Sequence, residues 1–154
     1  MRNQTKQRIY VVGGAGLVIF VGIWLVAIRA TAPLIWTSLQ EKPKVEATLV
    51  GYLNALKAQN LDGAFAYCGP SFRAASPYQS FVSQHKAFLE KEGKFLEFRL
   101  GSSEVSIKES KEDWVARYRV EMQFEKRKLN FLFELHHESG RWVLFGFRRM
   151  NGGA

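Results

Sequence analysis

Three histidines, a single cysteine and a scatter of tyrosines are the residues whose chemistry goes beyond fixed charge. An isomerase-type acid–base site needs a carboxylate base and a hydrogen-bond donor converging in a dry pocket. The polar side chains that fall on otherwise apolar faces are His85, Tyr118 and His137, and no acid shares those faces. His85 therefore reads first as a part-buried core histidine. His136 and His137 are adjacent on a strand and point to opposite faces, so they do not form a metal pair. A site built from His85 and His137 would still want a carboxylate such as Asp113. Cys68, the one cysteine, excludes an intrachain disulfide, a CxxC pair and a multi-cysteine zinc site, and reads as a buried structural thiol. No catalytic residue, metal or cofactor is expected.

The Gly13-Gly14-Ala15-Gly16 cluster lacks the preceding strand, third glycine and downstream acid of a nucleotide loop. It lies inside the run 9–28, twenty residues without a charge. A helix of about that length crosses a hydrocarbon core of ~30 Å, and a helix is the form a lone span takes in lipid. The run exceeds the ~7–15 apolar residues of a signal peptide, and Pro33 follows the only A-x-A site, Ala30-Thr31-Ala32. The expectation is a permanent anchor whose Gly13, Gly14, Ala15, Gly16 and Gly22 allow close packing on a partner helix. Arg2, Lys6 and Arg8, with no acid among residues 1–8, place the head in the cytoplasm and the rest outside an inner or plasma membrane.

Behind the anchor, residues 29–43 read as a juxtamembrane connector ended by Pro43. Its Leu34, Ile35, Trp36 and Leu39 form an apolar strip suited to the membrane interface or to a neighbouring subunit. Val45, Leu49, Tyr52, Leu53 and Leu56 predict an amphipathic helix over 44–60, and a shorter one follows over 62–67. Ser76, Pro77 and Gln79 predict an N-cap, a first-turn proline and a capping box. They would start a third helix with the stripe Tyr78, Phe81, Val82, His85, Phe88 and Leu89, ended by Gly93. From Lys94 the period falls to two. Short strands near 95–100 and 105–107 precede a clear one over 114–124, another from Leu129 to Leu135, and a last from Trp142 to Phe147. Trp114, Tyr118, Met122, Phe133 and His137 are the candidate lining of an apolar pocket.

The chain has 22 basic and 14 acidic residues, net +8. Residues 43–154 keep 17 and 13 of these, so the part beyond the connector is mildly basic. No basic cluster interleaved with exposed aromatics argues for nucleic acid. Arg148 and Arg149, with Lys126-Arg127-Lys128, form basic groups near strand ends, suited to anionic lipid or an acidic partner. About 110 residues suffice for one domain. The fold class expected is α+β: one N-terminal transmembrane helix, then about three helices packed on a curved antiparallel sheet. The organisation is a head at 1–8, the anchor at 9–28, the connector at 29–43, the domain at 44–150 and a tail at 151–154.

The stretch ALKAQNLDGAFAYCGPSFR and the strands DWVARYRVEMQF and GRWVLFGF resemble the nuclear transport factor 2-like superfamily, the cystatin-like cone, over roughly residues 44–150. That resemblance implies a long helix and two shorter ones inside a curved sheet. It also implies three functional classes: assembly scaffold, binding module and ketosteroid isomerase-like enzyme. With apolar cone positions and an anchor, the expected function is a non-catalytic single-pass accessory or assembly subunit of a membrane complex, in energy transduction, secretion or transport. Its partners would be integral membrane subunits. The alternatives are a tethered binding module holding an apolar ligand and an isomerase using His85, Tyr118 or His137.

Overall fold

Hydrophobic spacing builds the first element. In the computed structural model, which describes residues 36–107, 110–111 and 114–150, the chain is helical from 36 through 57 (α1). Glu41, Val45, Leu49, Tyr52, Leu53 and Leu56 recur at helical spacing and are all buried. The connector expected to stop at Pro43 is therefore corrected, because α1 runs through that proline. An interior proline costs a helix ~3 kcal/mol. The offset comes from the buried stripe that begins at Val45 and from Glu41 ahead of the proline, whose carboxylate accepts from Trp142 Nε1 at 2.9 Å and pairs with Lys44 at 2.6 Å.

Gln59 ends α1 in the left-handed region at φ 57°. The amides of Asn60 and Gln59 donate back to Ala55 and Leu56, a Schellman arrangement. Asn60 then caps α2 (Leu61–Ala66) by accepting from the Gly63 amide at 2.9 Å. A further helix, α3 (Pro70–Ala75), starts on a first-turn proline, and α4 spans Tyr78–Glu92. The capping box expected at Ser76 does not form. Ser76 ends α3 instead, donating its amide to Phe72, and no side chain caps α4.

The sheet is a four-stranded antiparallel meander: β1 (Phe95–Ser106), β2 (Val115–Phe124), β3 (Lys128–Glu138) and β4 (Arg141–Arg149). The two short strands expected before residue 108 are one strand, with register shifts between Phe95 and Glu97 and between Leu100 and Ser103. Ser139 at φ 50° and Gly140 at φ 81° make the tight β3–β4 turn. Ala116, Tyr118, Val120, Met122 and Phe124 of β2 and Leu129, Phe131, Phe133 and Leu135 of β3 are buried on one face. The helices cover that face. Gly69 donates to Leu144 at 2.8 Å and Leu144 to Tyr67 at 2.9 Å, joining the α2–α3 turn to β4.

The described residues from 38 onward group as one compact unit. The expected fold class needs a second correction. Among the described residues, no helix is long and apolar enough to cross a membrane. The longest, α1, carries Glu41, Lys42, Lys44, Glu46 and Lys57, which suits a helix half-covered by a sheet. What the structure gives is a small α+β domain with four helices on a four-stranded sheet. The proposed span 9–28, its glycine positions 13, 14, 16 and 22, and residues 34 and 35 lie outside the described residues.

Candidate functional site

Aromatic side chains from both layers leave a gap where they meet. Between α1, α3, α4 and the sheet lies an open cavity of about 360 Å³. Tyr52 and Leu56 of α1 form one wall, and Phe72 of α3 with Phe81 and Phe88 of α4 form a second. Met122, Phe124, Phe131, Phe133 and Phe147 make the sheet side. The rings contact one another edge-on and tilted around the gap: Tyr52–Phe133 at 6.1 Å, Phe88–Phe124 at 5.2 Å and Phe133–Phe147 at 5.4 Å between centroids. Phe147, 46% exposed, stacks on Phe72 at 6.3 Å and marks the mouth.

The polar lining is sparse: Ser76, Gln84 and His85, with Tyr52 adding a hydroxyl to its ring. None of the lining side chains is a carboxylate, a lysine or an arginine. The His85 ring lies parallel to Phe81, with centroids 6.4 Å apart. Its Nε2 is shut off from solvent and has no hydrogen-bond partner. Burial pushes its pKa below the ordinary histidine value, so the ring is neutral at physiological pH.

The sequence-derived pocket residues divide. Met122 and Phe133 line the cavity. Trp114 and His137 lie elsewhere on the sheet, in a cluster with Trp142: the His137 centroid is 5.1 Å from Trp114 and 5.5 Å from Trp142, and the two tryptophans are 6.5 Å apart. The Tyr118 hydroxyl is turned to Glu46 Oε1 at 3.3 Å and is pushed up to about 12 by burial. The three groups considered for acid–base work thus do not converge. His136 sits on the other face of the sheet, stacked on Phe145 at 3.8 Å and bonded to Glu134, which also pairs with Arg117. Burial raises Glu134, but the hydrogen bonds from His136 and Arg117 outweigh it and hold the carboxyl below its ordinary value. Among the described residues, no three histidine, cysteine or acidic side chains gather closely enough to hold a metal ion. Cys68 is buried and free, and burial pushes its thiol up to about 12, so it is a poor nucleophile.

Trp36 and Leu39 are 64% and 60% exposed. Arg148 and Arg149 are exposed at the end of β4. Most of the cavity lining was not assigned from sequence. Phe72 belongs to a helix that was not foreseen. Phe81, His85 and Phe88 belong to an apolar stripe in the sequence, and the signal there is a polar residue between two phenylalanines three and four positions away.

No family model matches the chain, and no curated protein matches it. Among solved structures it is similar to Bd1075 of Bdellovibrio bacteriovorus, with a TM-score of 0.56 at 8% identity. The similarity covers 74% of this chain and 41% of that one, so this chain matches less than half of that protein's length. At such identity the likeness is one of fold alone.

Proposed function

We propose that the domain is a non-catalytic binding module that holds an apolar ligand between its helices and its sheet. The observation that carries this reading is the open cavity of about 360 Å³, walled by phenylalanines and one buried tyrosine. Ligand sites are commonly apolar hollows of ~300–1,000 Å³ with a few polar groups that fix orientation. A packed core leaves few voids larger than a water molecule, and this gap is far larger. The lining offers no carboxylate to act as a base, which favours holding over turnover. The architecture is compatible with the cone of the nuclear transport factor 2-like proteins, in which helices cover the concave side of a sheet.

The test is a titration of the full chain with phenylnaphthylamine, an uncharged dye that brightens in apolar surroundings. Saturable binding of one dye per chain is expected. Leu56→Trp, which fills the cavity from α1, should abolish it without lowering the melting temperature. Dye binding that is absent, or unchanged in Leu56→Trp, overturns the reading.

A second reading, the accessory subunit, draws on Leu39 of α1, a large apolar side chain that is 60% exposed. Here the expected result is co-purification of a stoichiometric protein with the full chain that is lost on Leu39→Ser. Co-purification insensitive to that change removes the support.

A further inference from the structure

The cavity's polar groups specify more than an apolar ligand. Each of them is uncharged: the Tyr52 and Ser76 hydroxyls, the Gln84 amide and the His85 imidazole. A ligand that brought a carboxylate or ammonium group inside would bury a charge with no opposite charge to meet it, which is costly. A pure hydrocarbon would leave His85 Nε2 as it now stands, buried and without a partner, a condition worth avoiding in a folded protein. A neutral imidazole carries one donor and one acceptor nitrogen, and which is which depends on the tautomer. A hydroxyl both donates and accepts, so it pairs with either tautomer. His85 is one of the lining residues, and the torsion that turns an imidazole about its Cβ–Cγ bond is broad, so pairing with a ligand asks of the ring only a turn that presents Nε2 to the cavity. Size sets the other limit. An apolar cavity of roughly 150 Å³ accepts one benzene, and this one is more than twice as large.

Resting on the binding-module reading, we infer that the ligand is an uncharged, hydroxyl-bearing apolar molecule of about two-ring bulk, its hydroxyl hydrogen-bonded to His85. His85 is then the residue that separates alcohols from hydrocarbons of the same shape. The phenylalanine walls supply the affinity common to both.

The experiment uses four probes with one bicyclic body, titrated into the full chain near neutral pH: naphthylmethanol, methylnaphthalene, naphthoate and naphthylmethylammonium. Naphthylmethanol should bind about tenfold more tightly than methylnaphthalene, the effect of satisfying one buried group. Both ions should bind about a hundredfold more weakly than the alcohol. His85→Leu should erase the preference for alcohol over hydrocarbon while methylnaphthalene still binds, which also shows that the variant is folded. His85→Gln, which keeps a donor and an acceptor, should restore part of the preference. Equal binding of alcohol and hydrocarbon, a preference that survives His85→Leu, or tightest binding by either ion overturns the inference and leaves the cavity reading standing. Failure of all four probes to bind overturns the cavity reading itself.

Discussion

Arg127 grips Glu92 with two donors: Nε reaches Oε2 at 2.6 Å and Nη2 bonds Oε1, joining residues 35 apart in sequence. Glu92 is 2% exposed although it is charged. The pair ties the β2–β3 turn to the last turn of α4, the helix that carries Phe81, His85 and Phe88. Lys126 reinforces it by donating to the carbonyls of Glu90 and Lys91 at 3.0 and 2.8 Å, a favourable place for a cation. Glu92 is buried while Arg127 stays exposed, so removing the arginine strands a buried carboxylate, whereas removing both does not. Arg127→Met should therefore lower the melting temperature by more than the double variant Glu92→Gln/Arg127→Met. Thermal unfolding followed by circular dichroism decides it, and an equal or smaller loss in the single variant refutes the assignment.

Gly93 and Gly140 both stand at φ 81°, yet they should respond differently to alanine. A Cβ at Gly93 would lie 2.7 Å from Glu125 Cβ, and one at Gly140 meets nothing within 4 Å. Gly93 also has ψ near −175°, a region that side chains other than hydrogen scarcely enter. Gly140→Ala should cost about 1–2 kcal/mol from the left-handed backbone alone. Gly93→Ala should cost more, because clash adds to strain, and should loosen the end of α4. Urea unfolding midpoints of the two variants compare them directly.

Phe133 and Phe147 touch the same cavity from different depths. Phe133 is 1% exposed and contacts Tyr52 across the layers, so Phe133→Ala should destabilise by about 3–5 kcal/mol. That is a large part of the ~5–15 kcal/mol typical of a domain. Phe147→Ala, at the mouth, should cost much less and should speed dye entry and release. Stopped-flow fluorescence with phenylnaphthylamine reads the rates. Unchanged rates in Phe147→Ala would mean that the mouth lies elsewhere.

Stability should fall in two stages as the solution is acidified. Burial holds His85 below its ordinary value of 6.5, so the unfolded chain takes up this proton before the folded one. Stability then declines once pH drops below about that value. The carboxyls form the second stage. The Arg127 guanidinium lowers Glu92. Burial raises Glu41, but hydrogen bonds from Lys44 and Trp142 outweigh it and leave the group below its ordinary 4.5. Groups of this kind stabilise the fold above the unfolded value and lose that contribution as they protonate. Denaturant midpoints measured from neutral pH downward should show both declines, and His85→Leu should remove only the upper one.

Sheet strands after residue 113 were legible because half-buried strands alternate, as Tyr118, Val120 and Met122 do against Arg117, Arg119 and Glu121. The long helix was legible in its core stripe and misread at Pro43, where local propensity points one way and the buried contacts of Glu41 and Val45 another. Ser76 was ambiguous for a related reason. Its spacing suits a capping box, but the preceding helix claims its amide. The cavity was half legible. Met122 and Phe133 follow from alternation, but a gap depends on how far apart two layers stand, and no single segment encodes that. Tyr118 shares a strand face with Met122, and Trp114 precedes the strand in the same alternation, yet both miss the cavity, because other partners (Glu46 for one, Trp142 for the other) fill the space before them.

The short pairing of Tyr67 and Gly69 with Leu144 bears on how the molecule behaves in a crowd. As the last strand of an open meander, β4 has one row of amides and carbonyls without a strand beside it, and such rows recruit other chains. The α2–α3 turn occupies the middle of that row. Beyond it come Arg148 and Arg149, charges of the kind that discourage strand addition. On the opposite side, β1 breaks its own register twice, which makes it a poor template. A domain with a gap in its core and a risky sheet border is thus protected at both borders from polymerising by strand addition.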